Sequence, residues 1–120
     1  VLMFEKMIEI SMLYDFYGQL LTEKQRELLK LYHEDNYSLS EIAEEYGISR
    51  QGVHDAVKKA EKALHEYENK LGLIRKFRST EKAIRNAGSE IDKLITENSG
   101  NRQLSDRLRQ IKAMIDQIND

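Results

Sequence analysis

Apolar residues recur at helical spacing through most of the chain, and the sharpest pattern lies in residues 38–64, SLSEIAEEYGISRQGVHDAVKKAEKAL. Ser38 followed by Glu41 is a capping-box pair, which predicts a helix from Leu39. Leu39, Ile42, Ala43 and Tyr46 share one face of that helix, and Glu41, Glu44 and Glu45 fall outside it. Gly47 can adopt the left-handed conformation that ends a helix, with Ile48 tucked back under the turn and Ser49 capping the next helix. That second helix starts at Arg50 and buries Val53, Val57, Ala60 and Leu64. Small Ala43, glycine four positions later and Val53 six beyond that are the spacing of a helix-turn-helix, in which two helices approach closely and a valine plugs their angle.

Before this block, Met7, Ile8, Met12, Leu13, Phe16 and Leu20 predict an amphipathic helix over about residues 5–17, ended or loosened by Gly18. Thr22 and Gln25 form a second capping box, opening a helix over 23–33 with Leu28, Leu29, Leu31 and Tyr32 as core candidates. Glu34, Asp35 and Asn36 follow as a turn. Phe16, Leu21, Leu28, Leu31, Ile42, Ile48, Val53 and Val57 are expected to meet in one bundle core.

After residue 64 the pattern changes, with a break or kink available at Gly72. Phe77, Ile84, Ile91 and Asn98 are seven apart, and Ala87, Leu94 and Ile95 fill intermediate positions. Asn98, Ser99, Gly100 and Asn101 make a turn, and a last helix over 102–118 carries Leu104, Leu108, Ile111, Ile115 and Ile118 at alternating steps of four and three. So short a connection predicts an antiparallel hairpin, with dimerisation through the same seams as the competing use. The expected fold is therefore all-α: a helix-turn-helix domain over 1–70 and a coiled-coil-like helical hairpin over 71–120.

Composition sharpens this picture. The absence of proline and a charged third of the 120 residues favour helices with solvated faces. There is no cysteine, hence no disulfide, thiolate or zinc finger, and a reducing cytoplasm is the expected location. No apolar run approaches a membrane span and no signal peptide is visible, so membrane insertion is not expected. His33, His54 and His65 are too scattered for a local metal site, and neighbouring Glu44 and Glu45 diverge on a helix. No catalytic residue, metal or cofactor is expected.

Net charge is −2, and it is unevenly spread. Residues 1–64 hold 8 Lys and Arg against 12 Asp and Glu, whereas 65–120 hold 11 against 9. Any nucleic-acid surface must then be local. One candidate is the exposed face of the second motif helix, Arg50, Gln51, His54, Asp55, Lys58, Lys59 and Lys62. The other is the run Lys70, Arg75, Lys76, Arg78, Lys82 and Arg85, which reads either as a phosphate-binding or RNA-binding patch or as a solvated helix face.

The string Leu21-Thr22-x-x-Gln25-Arg26 through Leu31, then Tyr37-Ser38-x-x-Glu41-Ile42-Ala43-x-x-x-Gly47-Ile48-Ser49-Arg50-x-x-Val53, resembles region four of bacterial sigma factors, which binds promoter DNA. Over residues 14–71 the chain more closely resembles the YlxM family of small helix-turn-helix proteins. Gly52 departs from the alanine and His54 from the tyrosine more usual in that family. The resemblance implies DNA binding through Arg50, Gln51, His54, Asp55 and Lys58, and a part in the signal recognition particle pathway. Two other functions fit the same residues. One is an accessory protein touching the particle's RNA or protein through the basic segment or the C-terminal helices; the other is a pure protein-interaction module.

Overall fold

Two capping boxes set the starts of the second and third helices. Thr22 Oγ1 accepts from Gln25 N–H at 3.1 Å while Gln25 Oε1 accepts from Thr22 N–H at 3.2 Å. Ser38 and Glu41 repeat the exchange at 3.0 and 3.1 Å. Each satisfies two amides that the first helical turn leaves without partners. The computed structural model describes residues 3–118. Its order is α1 (Met3–Tyr17), a 3₁₀ turn (Gly18–Leu20), α2 (Glu23–Leu29), a π turn (Lys30–Glu34), α3 (Leu39–Tyr46), α4 (Arg50–Leu71), α5 (Leu73–Glu97) and α6 (Arg102–Ile118). The protein is all-α, with no strand among the described residues. None of these helices is long and apolar enough to cross a membrane.

The chain divides into two units, Val1–Ile74 and Arg75–Asp120. In the first, α4 is the central element, and α1, α2 and α3 all pack on it. Val53, Val57, Ala60 and Leu64 are buried as the spacing predicts, facing Ile42 and Ala43 from α3 and Leu28 and Leu29 from α2. α1 differs from expectation. Its buried residues are Ile10, Leu13 and Tyr17, whereas Met7, Ile8 and Leu20 of the predicted stripe are exposed. Apolar residues surround most of this helix, so periodicity alone could not single out the inward face. Phe16 and Leu31 pack on the margin of the core, and Ile48, expected inside, is 44% exposed.

The predicted helix over 23–33 changes character at Lys30. Asp35 N–H reaches back five residues to the Lys30 carbonyl at 3.0 Å, widening the turn, and Tyr37 N–H bonds the Leu31 carbonyl at 3.0 Å. The wide turn holds one residue more than an α turn would and re-aims the side chains that follow it. Glu34 therefore belongs to the π turn and not to the connection, where Asn36 takes φ 57°, a conformation asparagine adopts more readily than most residues.

Gly72 ends α4 at φ 62°. The next helix begins at once, its first amides received by side chains: Leu73 N–H donates to Tyr17 Oη at 3.1 Å, and Ile74 N–H to Glu68 Oε1 at 3.0 Å. Tyr17 Oη in turn donates to that carboxylate.

In the second unit α5 and α6 run antiparallel about the turn at residues 98–101. Asn101 Oδ1 caps α6 by accepting from Leu104 N–H at 3.1 Å, and Ser105 Oγ donates to the Asn98 carbonyl at 2.8 Å. Farther along, Lys112 Nζ meets both oxygens of Asp92 at 3.0 Å, and its aliphatic stem covers buried Gly88. The predicted α6 seam is only half used. Leu108 is buried and Ile115 half-buried, but Leu104, Ile111 and Ile118 face solvent, as does Phe77 on α5.

Candidate nucleic-acid interface

The turn between α3 and α4 decides which side chains reach solvent. Gly47 has φ 67°, and both its N–H and that of Ile48 turn back to the Ala43 carbonyl, the latter at 3.1 Å. Ser49 then caps α4, its Oγ accepting from Gly52 N–H at 2.9 Å. Ile48 lies near the first turn of α4 instead of entering the core; a Cβ added at Gly52 would make ordinary contact with the Ile48 side chain at 3.7 Å but would crowd Ser49 Oγ at 3.1 Å. With Val53 and Val57 turned inward, Arg50, Gln51, His54, Asp55, Lys58, Lys59 and Lys62 are all exposed on α4.

These side chains are not equivalent. Gln51 Nε2 donates to Asp55 Oδ1 at 2.9 Å, and His54 Nδ1 lies 3.6 Å from the same oxygen. Asp55 therefore engages Gln51 by a hydrogen bond and puts a negative charge among the cations. Lys58 Nζ is 3.7 Å from Glu61 Oε1. Glu61 is a carboxylate inside the apolar stripe of α4, 6% exposed, and its other oxygen is 2.9 Å from His33 Nε2 on the π turn. Burial raises its pKa, but the His33 hydrogen bond and the charges of Lys6 and Lys58 outweigh burial and leave it below the ordinary carboxylate value.

Lys6 was not among the predicted site residues, yet α1 brings it against Lys58. The neighbouring Lys58 amine lowers the Lys6 pKa, and Lys6 together with the Glu61 carboxylate raises that of Lys58. The sequence carried a trace of this arrangement. Glu61 lies four residues after Val57 and three before Leu64, both buried, so helical spacing alone puts a carboxylate at an inward position. Its partners could not be read: His33 is 28 residues away and is aimed by the π turn.

In the second basic set, Lys70 ends α4 and the rest lie on α5, all exposed. Arg75, Arg78, Lys82 and Arg85 follow one another at steps of three and four, so they share a helical face, while Lys76 lies off it. Arg85 Nη1 meets Glu81 Oε1 at 3.2 Å. No group of three or more His, Cys, Asp or Glu among the described residues is arranged to hold a metal.

Comparison with known proteins bears on this site. A family model described as "Putative helix-turn-helix protein, YlxM / p13 like" matches residues 4–118. The UPF0122 protein of Listeria innocua is 42% identical over 110 residues, covering 92% of this chain and 97% of the relative. That of Halalkalibacterium halodurans is 45% identical over 94 residues, 78% of this chain and 86% of the relative. That of Caldanaerobacter subterraneus is 55% identical over 75 residues, 62% of this chain and 64% of the relative. The match runs through the helix-turn-helix and into both C-terminal helices, and the chain belongs to the UPF0122 family of helix-turn-helix proteins.

Proposed function

We propose that the chain is a DNA-binding regulatory protein that inserts the start of α4 into a major groove. The observation that carries this reading is the exposed edge of α4 behind the Gly47 turn, where Arg50 and Gln51 are held at the helix start by the Ser49 cap. Arginine can pair bidentately with guanine and glutamine with adenine in that groove. Gln51 must leave Asp55 to do so, which makes Asp55 a brake on non-cognate sequences. Lys58, Lys59 and Lys62 serve as phosphate contacts that set position without reading sequence. By family resemblance, the regulated process is the signal recognition particle pathway, in the cytoplasm. Selection from a random duplex pool followed by fluorescence anisotropy tests the reading. An enriched site should lose about 1–3 kcal/mol of preference for each base pairing removed in Arg50→Ala and Gln51→Ala. A pool that enriches nothing sinks it.

A second reading has its own observation. The shared face of Arg75, Arg78, Lys82 and Arg85 suits a structured RNA backbone, and it makes the chain an accessory protein of the particle's RNA. The exposed Leu104, Ile111 and Ile118 stripe on α6 is the proposed seam for a homodimer. Leu104→Glu with Ile111→Glu should then convert a dimer to a monomer in sedimentation.

A further inference from the structure

Next to the exposed face of α4, the first unit encloses a cleft of about 380 Å³. Its floor is the His33–Glu61 pair, whose side chains are 15% and 8% exposed. Lys6 from α1 and Lys58 from α4 stand at its rim, and Tyr32 and Tyr37 contribute aromatic rings to its lining. The volume is at the lower end of the range for small-ligand sites, enough for one ring system with its substituents and far too small for a duplex.

We propose that this cleft binds a single nucleotide, with its phosphate between the Lys6 and Lys58 ammonium groups and its base against Tyr32 and Tyr37. Charge argues for the anion. Among the residues lining the cleft, the two lysines Lys6 and Lys58 outnumber the one carboxylate, Glu61. Glu61 remains satisfied when the lysines turn to a ligand, because its shorter bond is to His33, and Lys58, half exposed, lies 3.7 Å away, beyond hydrogen-bond distance. A phosphate accepts from both lysines through separate oxygens, and such charge-assisted bonds are the strong ones. The rings supply the second half of the site. Stacking on aromatic side chains is how proteins hold unpaired bases, and it tolerates any base because each has a π face.

The same chemistry is offered by a free nucleoside monophosphate and by one unpaired nucleotide of a strand. The full-length chain is titrated by calorimetry with AMP, UMP, inorganic phosphate, adenosine and benzoate, and a short unpaired oligonucleotide is then used as competitor. Saturable binding of AMP and UMP is expected, with adenosine, phosphate and benzoate each weaker. Lys6→Gln should weaken the monophosphates about tenfold, the worth of one charged hydrogen bond, and Lys6→Arg should restore them. Tyr37→Leu should weaken AMP and leave inorganic phosphate unchanged. Unaltered thermal melting shows that each variant is folded, and because Lys6 is exposed its substitution does not open the core. If the oligonucleotide displaces AMP, the natural source is a strand; if it does not, the source is a free nucleotide; either result supports the site. No saturable monophosphate binding, equal affinity in Lys6→Gln, or phosphate or benzoate binding as tightly as AMP overturns it. Lys58 is common to this proposal and the duplex reading, but Lys6 belongs to the cleft alone and Arg50 and Gln51 do not line it, so Lys6→Gln against AMP and Arg50→Ala against duplex let the two fail separately.

Discussion

At Gly47 the backbone carries φ 67° and an added Cβ would meet nothing within 4 Å, so the residue is required by conformation and not by crowding. Gly47→Val should cost about 1–3 kcal/mol, because a β-branched residue is strained at positive φ; an unchanged melting midpoint would count against the turn. Gly52 is the opposite case. Its φ is helical, and exchange for alanine gains about 1 kcal/mol of helix propensity but presses on Ser49 Oγ at 3.1 Å, so propensity and cap oppose each other. Glu61 is governed by neither effect. Its folded pKa lies below the ordinary carboxylate value of 4.5, so the stability it contributes is fully present above that pH and is lost as pH falls through the lower folded value. Glu61→Gln should lower stability at neutral pH by about 1–3 kcal/mol through loss of the charged bond to His33. It should also flatten the acid limb. Melting midpoints recorded down to strong acid should converge for the two proteins below 4.5, and curves that stay parallel would show that Glu61 does not titrate with unfolding.

At the scale of elements, legibility followed how local the determining interactions are. The starts of α2, α3 and α4 were readable because each cap is a side chain within three residues of the amide it serves. The ends of α3 and α4 were readable because glycine is the residue that tolerates φ 67° and 62°. The inward face of α1 and the π turn were not, since both are chosen by packing across the bundle. The exposed side of α4 followed from its buried stripe, but the Lys6, His33 and Glu61 cluster joins three elements and has no linear signature. The junction of α4 with α5 is another long-range device. Tyr17, 0% exposed, and Glu68 receive the Leu73 and Ile74 amides, so a residue of α1 fixes where α5 begins. Tyr17→Phe removes the hydroxyl and keeps the ring. Hydrogen exchange at Leu73 and Ile74 should then quicken about tenfold relative to the core amides of α4. Uniform acceleration would mean that Tyr17 acts only through general stability.

For the molecule as a whole, charge limits how nucleic acid can be bound. A chain of net charge −2, with its acidic excess in residues 1–64, has no long-range field drawing it to DNA, so affinity must come from a few short-range interactions. Such interactions can be counted. Removing one lysine–phosphate pair should reduce the slope of log affinity against log salt by about 0.9 on duplex DNA. Lys58→Gln, Lys59→Gln and Lys62→Gln should each take away about that much and weaken every sequence alike, because phosphate-binding side chains position the protein and do not specify the sequence. Arg50→Ala and Gln51→Ala should instead erode the ratio of specific to random binding. The face of Arg75, Arg78, Lys82 and Arg85 provides the contrasting measurement. If duplex DNA is the ligand of α4, replacing those four by glutamine should leave the specificity ratio where it was. If a structured RNA is the ligand of α5, the same replacement should abolish retention of that RNA, and Arg50→Ala should not affect it. Should none of these variants change retention of either nucleic acid at low salt, the helix-turn-helix serves as a protein-docking unit.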